Sequence, residues 1–437
     1  SQEGTGDFGP YTQSQRLDIY KKYSDELLAQ DKTYRCFCAE ERLKTMREEQ
    51  QAKKSPPRYD RQCRDLSQAE INKKSQAGER FVIRQKMPLS GEVVVNDELR
   101  GDIKFMAADL DDQVLVKSNG VPTYQFAVVV DDHLMQISQV VRGDEWISSL
   151  PKNILLYQAF GWTPPKFIHL PLILNKGGGK LSKRQGDVAV EDFRAKGYLP
   201  AALLNFVALQ GWHPRDDNEI LSLKEMIKQF NYQDLGTSPA VFDLDKLDYF
   251  NGYYIRHKTV EELAGLCLPF FVDAGLVEEV KNENIKMEND SVKFKNKITR
   301  EEISFGYIKK IVALEQERLK KLSDIAEATS FFFVDKLEYE PELLIWKKMS
   351  GEEVKKNLEQ IYKLLEKIPE ENWTNNSIED ALLTHIKAKA GKVGEYLWPM
   401  RAALTGRQAS PGPFDVAEVL GKKESLARIK RAIELFG

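Results

Sequence analysis

Leu17, Tyr20, Tyr23, Leu27 and Leu28 recur at the three-to-four-residue interval that lines one face of a helix. On this pattern residues 11 to 75 read as helical. From Phe81 the period changes to two, through FVIRQ, GEVVVNDELRGDIKF and DDQVLVKSNGVPTYQFAVVV, so residues 81 to 130 read as β-rich. Asn119-Gly120 inside the last of these is a hairpin signal. The run Phe126 to Val130 is apolar without alternation, as in a parallel strand buried on both faces. It predicts Asp131, Asp132 and His133 at a strand's carboxyl end, where open α/β sheets hold ligands. The segment VVRGDEWISSLPKNILLYQAFGW repeats the arrangement: a short β-like run, a turn at Arg142-Gly143-Asp144, then a helix with Ile147, Leu150, Ile154, Leu155 and Phe160 inward. Beyond VEDFRAKGYLPAALLNFVALQGWHP, helical blocks are predicted at 223–230, 260–272, 300–331, 354–368 and 378–389. Residues 214–217 and 338–341 break the periodicity and read as boundaries, and the final hundred residues carry no β signal.

A chain of 437 residues with 42% hydrophobic and 30% charged residues is expected to hold several globular domains. No apolar run reaches the ~18 residues of a membrane span. Four cysteines, three of them within residues 36 to 63, argue for a reducing compartment over a disulfide framework. The net charge of −3 excludes a uniformly basic nucleic-acid binder, yet it conceals patches. Residues 31 to 90 hold fifteen Lys and Arg against nine Asp and Glu, and residues 387 to 437 hold ten against five. Such excesses suit contact with a polyanion at separated places, and solvated helix faces give similar counts.

The stretch PLILNKGGGKLSKRQGD, residues 171 to 187, joins an apolar run to three glycines and then to Lys180, Lys183 and Arg184. Cations on a glycine-hinged loop suit a polyanion, and a solvated turn is the alternative. The pattern GxxxxGK[ST] fails here, at Leu174 and again at Leu181, which disfavours a Walker-type loop. Cys36, Cys38 and Cys63, with Asp65 just beyond, have two readings: three thiolates and a carboxylate around one zinc ion, or three small thiols with no metal. Arg142 at a strand end is placed to grip a carboxylate. Trp146 reads as a pocket wall or as core, and His169 as a ligand, a base, or a histidine satisfied at a strand edge.

GPYTQSQRLDIYKKY, PRYDRQCR, DELRGDI, GVPTYQFAVVVDDHLMQISQVVRGDEW, LLYQAFGW, KLSKRQGDV, GYLPAALLNFVALQGW, FDLDKLDYFNGYYI and MRAALTG together resemble bacterial-type glutamyl-tRNA synthetases, in order and nearly end to end. KLSKR resembles the KMSKS signature of class I aminoacyl-tRNA synthetases. The fold implied is α/β plus all-α: a class I Rossmann-type catalytic core with an inserted α+β acceptor-binding domain, then a helical stem-contact domain and an all-α anticodon-binding region. The corresponding boundaries are a first Rossmann remnant at 1–20, the insertion at 21–121, the second Rossmann half at 122–170, the stem-contact domain at 171–260, and anticodon subdomains at 261–336 and 337–437.

The activity implied is glutamate–tRNA ligation: ATP with Mg²⁺ activates L-glutamate to glutamyl-adenylate, which is transferred to the terminal adenosine of tRNA(Glu). By resemblance, Lys183 would neutralise the departing pyrophosphate, supported by Lys180 and Arg184, with Ser182, Glu145 and the backbone of Ile173 also at the ATP. Tyr124, Val128, Arg142 and Trp146 would hold glutamate. Arg318 and Arg401 align with anticodon contacts, a solvated helix face being the alternative for Arg318. The cysteines match a zinc site of some members, with Asp65 where histidine is frequent. A monomer is implied, without a membrane, in a bacterial cytoplasm or, alternatively, an organellar matrix. Glutaminyl enzymes end in β-barrels, and glutamyl-queuosine enzymes end soon after the core. Both fit less well than a helical end, and a non-catalytic tRNA-binding derivative is the remaining alternative.

The HIGH signature, with the strand and arginine before it, does not occur in the chain. The expectation is a Rossmann core that opens about seventy residues late on the family pattern, where one wall of the ATP and glutamate pockets would lie. The chain alone is therefore expected to bind tRNA without catalysing ATP–pyrophosphate exchange. Robust exchange by the purified protein with tRNA present would overturn this.

Overall fold

The apolar stripe at the start of the chain forms α1 (Leu17–Ala29), which buries Tyr20, Ser24 and Leu27. The computed structural model describes residues 6–181, 189–214, 216, 218–279 and 293–437. They divide into two units, and the first comprises Ser1–Lys180, Gln210–Asp217 and Gln229–Phe242.

In the first unit, β1 (Thr33–Cys36) is followed by α2 (Glu40–Ala52) and α3 (Gln68–Gln76), the latter opened by a Ser67–Glu70 capping box. β2 (Val82–Gln85) lies between β1 and β5 (Val114–Val116) in an antiparallel sheet. The alternating segment between them forms a hairpin of β3 (Glu92–Asp97) and β4 (Gly101–Met106), in which Val93, Val95 and Asp97 point inward. Asp112, fully buried, ties this region together. It accepts from Tyr34 Oη at 2.8 Å, Arg64 Nη1 at 3.0 Å and the Met87 amide at 3.1 Å.

The run Phe126 to Val130 is not the expected strand. It lies in α4 (Tyr124–Leu134), with Phe126, Ala127, Val129, Val130 and Asp131 buried. A helix buried around most of its circumference and a strand buried on both faces give the same short apolar run, so periodicity could not separate them. Asp131, Asp132 and His133 consequently occupy a last helical turn, not a strand end. The Asn119-Gly120 turn does form, with Gly120 at φ +79 and the Lys117 amide donating to Val121 O at 2.9 Å. Its second arm, however, passes directly into α4.

The next prediction holds in outline: β6 (Gln139–Gly143) leads to α5 (Leu150–Phe160) with Leu150, Ile154 and Phe160 buried, but the expected turn residues Arg142 and Gly143 end the strand, Ile147 lies in a 3-10 segment before the helix and Leu155 is half-buried. β7 (Lys166–Leu170) pairs in parallel with β6 and completes a β-α-β unit, with Arg142 registered against His169. A second parallel pair, β8 (Ile173–Asn175) with β9 (Ala240–Phe242), is too short for a periodicity to reveal. Core residues include Tyr20, Leu27, Phe126, Val130, Leu156, Tyr157 and Phe167.

Asp131 fastens α1 to α4. Arg16, 1% exposed, donates from Nε to its Oδ1 at 2.7 Å, and Tyr20 and Gln13 donate to Oδ2 at 2.8 and 3.0 Å. Burial and then this carboxylate push the Tyr20 phenol well above its ordinary pKa, so it remains a donor.

The second unit comprises Leu181–Leu209, Asn218–Lys228 and Asp243–Gly437. It begins with α6 (Val190–Ala195) and α7 (Pro200–Ala208), continues through most of α8 (Leu223–Gln229), then α9 (Leu244–Arg256) and α10 (Val260–Asp273). A small antiparallel sheet of β10 (Val277–Glu279), β11 (Lys293–Asn296) and β12 (Glu302–Ser304) follows, which the sequence reading did not anticipate.

The block predicted at 300–331 is two helices, α11 (Phe305–Glu315) and α12 (Asp324–Thr329). Between them, Gln316 Nε2 donates to the carbonyls of Ile255 and Lys258 at 3.1 and 2.8 Å, and Asn251 Nδ2 reaches Lys320 O at 2.6 Å. The last of these bonds engages a backbone carbonyl of the stretch between the two helices. The remainder is helical: α13 (Gly351–Glu366), α14 (Asn375–Ala388), α15 (Val393–Thr405), α16 (Pro413–Leu420) and α17 (Lys422–Glu434). In α13 the buried residues Val354, Leu358, Ile361 and Leu365 keep the predicted spacing.

Replacing Asp131 by alanine strands the Arg16 guanidinium in the core. The expected loss is about 3 kcal/mol or more, because a buried charge loses its partner, and it is measured as a lowered urea midpoint. Lys21→Ala, which removes an exposed pair with Asp25, should leave the midpoint in place.

Candidate active site

The parallel pairing of β6 and β7 sets Arg142 beside His169, and Arg142 Nε donates to His169 Nε2 at 3.0 Å. The Arg142 guanidinium also lies over Trp146, 5.7 Å from the ring centre, and over Phe167 at 5.5 Å. Trp146 stands in the short 3-10 segment Asp144–Ser149 after β6 and packs against Tyr124 at 5.4 Å, from the start of α4. Val128, half-buried, is one helical turn beyond Tyr124 on the same face. Tyr124, Arg142 and Trp146 are therefore brought together, with Val128 one turn along the same helix face.

Arg142 Nη2 is buried and has no hydrogen-bond partner among the described residues. Burial lowers the Arg142 pKa, opposed by Tyr124 and Asp132. An arginine titrates so far above neutrality that the group stays cationic. Asp132 is pushed up to about 6 by burial and then by Asp131, with Arg142 opposing. The arrangement is a cation held among rings, with donor capacity left for a carboxylate.

The glycine turn leading to Lys180 is ordered by the Gly178 amide donating to Asn175 O at 2.9 Å and the Asn175 amide to Gly179 O at 3.0 Å. Gly178 and Gly179 have φ +85 and +80, values that glycine adopts without a Cβ clash. This turn pairs Lys180 with Leu174. Lys180 Nζ then meets Glu145 Oε1 at 2.5 Å and holds that carboxyl below its ordinary range. Lys180 and Glu145, both expected at the ATP, thus come together, and Ile173, half-buried, opens β8 on the same hairpin. Ser182, Lys183 and Arg184 lie outside the described residues.

Cys36, Cys38 and Cys63 converge, with their sulfurs all within 4.8 Å of one another. Cys38 and Cys63 are 3.5 Å apart. Sulfurs around one tetrahedral zinc stand about 3.8 Å apart, so the three fit such an ion. Asp65 does not join them: it is exposed and its carboxylate lies outside the group. Tyr59 Oη stands there instead, 3.2 Å from the Cys36 sulfur and accepting from the Cys63 amide at 3.0 Å. The turn at Arg61–Arg64 carries Cys63 inward and leaves Asp65 facing water. A hydrogen bond from Cys63 holds the Cys36 thiol well below its ordinary pKa, against the effect of burial.

In the second unit Arg401, on α15, lies over Trp398 at 4.6 Å and donates from Nη2 to Gln408 O at 2.7 Å. Burial and then the nearby charge of Arg318 lower its pKa, so the two predicted arginines lie within electrostatic reach of each other. Arg318 is 3.7 Å from the buried Glu315. Arg407 acts electrostatically on the same Glu315, donates to Ser330 Oγ at 3.0 Å and lies over Phe331.

Residues 3–249 match the family of class I tRNA synthetases (E and Q), catalytic domain, and residues 262–433 match the anticodon binding domain. The chain belongs to the class I tRNA synthetases of this E and Q type. Within the family it is similar to the glutamate–tRNA ligase of Clostridium botulinum, 43% identical over 98% of this chain and 83% of that protein. The glutamate–tRNA ligase of Moorella thermoacetica is 38% identical over the same shares. Among solved structures, a glutamate–tRNA ligase from Elizabethkingia meningosepticum in complex with its amino acid has a TM-score of 0.82 at 31% identity, over 99% of this chain and 85% of that one. The glutamate–tRNA synthetase of Elizabethkingia anophelis gives 0.81 at 32%. A bacterial-type glutamyl enzyme, with an α/β catalytic part and a helical end, is the assignment these likenesses support.

Proposed function

We propose that this chain works in glutamate–tRNA ligation, the reaction in which ATP with Mg²⁺ activates glutamate to glutamyl-adenylate and the glutamyl group passes to the 3′-terminal adenosine of tRNA(Glu). The observation that carries the reading is Arg142, a half-buried cation beside Trp146 and Phe167 whose buried Nη2 is without a protein partner among the described residues.

Arg142 takes a carboxylate of glutamate, and Tyr124, Val128 and Trp146 shape the pocket around it. Lys180 and Glu145 stand at the ATP, with the Ile173 backbone, Ser182 and Arg184. Lys183 offsets the charge that grows on the departing pyrophosphate. Positioning and charge stabilisation supply the rate, since phosphoryl chemistry of this kind asks little covalent work of the protein.

Cys36, Cys38 and Cys63, with Tyr59 beside them, are the residues that would hold a structural zinc, which would fix the fold of residues 36–63. Arg318 and Arg401 contact anticodon bases, and the basic stretch 31–90 faces the acceptor end. The working state is a cytoplasmic monomer.

Arg142→Ala is expected to weaken glutamate binding about 10- to 100-fold, the range for a lost charge-assisted hydrogen bond, measured calorimetrically. Unchanged glutamate affinity would refute the pocket. A protein that binds tRNA(Glu) but no glutamate would instead fit a non-catalytic tRNA binder. Arg401→Ala should weaken tRNA(Glu) binding about tenfold without changing glutamate affinity, and an unchanged tRNA affinity would overturn the anticodon assignment.

A further inference from the structure

We propose that Asp97 and His169 form a positioning pair that sets the orientation of Arg142. The proposal rests on the reading of Arg142 as the group that takes the glutamate carboxylate.

Asp97 and His169 are 1% and 0% exposed, so neither can exchange its partner for water. Asp97 Oδ2 accepts from the His169 backbone amide at 3.0 Å and lies 2.7 Å from His169 Nδ1. On the far side of the ring, Nε2 receives the Arg142 Nε–H at 3.0 Å. An arginine Nε only donates, so Nε2 must be the bare nitrogen and Nδ1 must carry the proton that Asp97 accepts. A single protonation state, neutral imidazole with hydrogen on Nδ1, satisfies both contacts. Burial lowers the histidine pKa, with Asp97 opposing and the Arg142 charge reinforcing, which keeps that neutral form.

The consequence falls on Arg142. With Nε occupied, the guanidinium presents its Nη end, where Nη2 is unpartnered among the described residues. The carboxylate is then taken end-on instead of along the Nε side. Without the acceptor at His169, the planar fork is free to rotate between Trp146 and Phe167, and its preorganisation is lost.

Asp97 is itself fixed by its place in the turn of the β3–β4 hairpin. Its Oδ1 accepts from the Leu99 and Arg100 amides, both at 3.0 Å, and the neighbouring Glu98 amide donates to Phe167 O of β7 at 2.9 Å. Arg100 reaches Asp144 at 3.2 Å, two residues beyond Arg142. The hairpin tip is thus attached to β7 and to the segment that directly follows β6.

The test uses the whole chain. Long-range ¹H–¹⁵N spectra of the wild type should report the Nδ1–H tautomer for His169. His169→Phe, which removes the acceptor, should raise the dissociation constant for L-glutamate about 10- to 100-fold with ATP affinity unchanged. His169→Gln, whose side-chain oxygen stands near the place of Nε2, should recover most of the loss. An Nε2–H tautomer, or glutamate affinity unchanged in His169→Phe, would overturn the proposal. If the phenylalanine variant does not fold, the tautomer and the glutamine variant decide. Arg142→Ala separates the two levels: wild-type affinity in that variant refutes the pocket, whereas affinity lost there but kept in His169→Phe refutes only the positioning pair.

Discussion

A guanidinium half out of water needs acceptors and a fixed geometry, and the β6–β7 pairing supplies both to Arg142. Facing residues of a parallel ladder place their side chains on the same side of the sheet, so the register that pairs Arg142 with His169 supplies an acceptor directly. Trp146 and Phe167 give the cation aromatic surface on either side. A one-residue slip of the register would turn His169 to the opposite face and deprive Arg142 Nε of its acceptor. The β-α-β connection, the helix that carries Tyr124 and the hairpin that carries Asp97 all converge on keeping this register.

Much of the candidate site's geometry was legible because its residues lie in short local motifs. PTY, VRGDEW and GGGK each place a residue relative to a turn or a strand end, and the structure gathers Tyr124, Arg142 and Trp146, and separately Glu145 and Lys180. Local spacing failed where two structures share one pattern. Phe126 to Val130 is as apolar as a buried strand but is a helix, since periodicity is silent when nearly every position is covered. It failed again at Asp65, whose separation from Cys63 suggested a ligand while the turn points it to water and brings Tyr59 inward instead. The short strands β8 and β9 are joined only by the fold, and three residues hold no countable period.

Three buried aspartates carry most of the information that spacing lacks. Asp131 joins α4 to Arg16, 115 residues earlier in the chain. Asp112 is bound by Tyr34 across 78 residues, and Asp97 by His169 across 72. Each is surrounded by donors and would be costly to bury otherwise. Each fastens one element to another that hydrophobic contact alone would leave free to slide, because apolar packing is non-directional and a carboxylate with two or more donors is not.

Asp97 shows why such ties are invisible in advance. Its Oδ1 does what an aspartate in DELRG is expected to do, accepting the amides two and three residues on and closing the turn. That local role fully accounts for the residue, so sequence reasoning has no cause to look further. The second oxygen is left over by the turn, and it points at β7, where the His169 amide and ring take it up. One carboxylate therefore performs a local and a distant task with different atoms. Replacing it by a residue that serves the turn alone would preserve the hairpin and release the histidine, so the local role and the distant role are separable in the molecule even though a single letter encodes both.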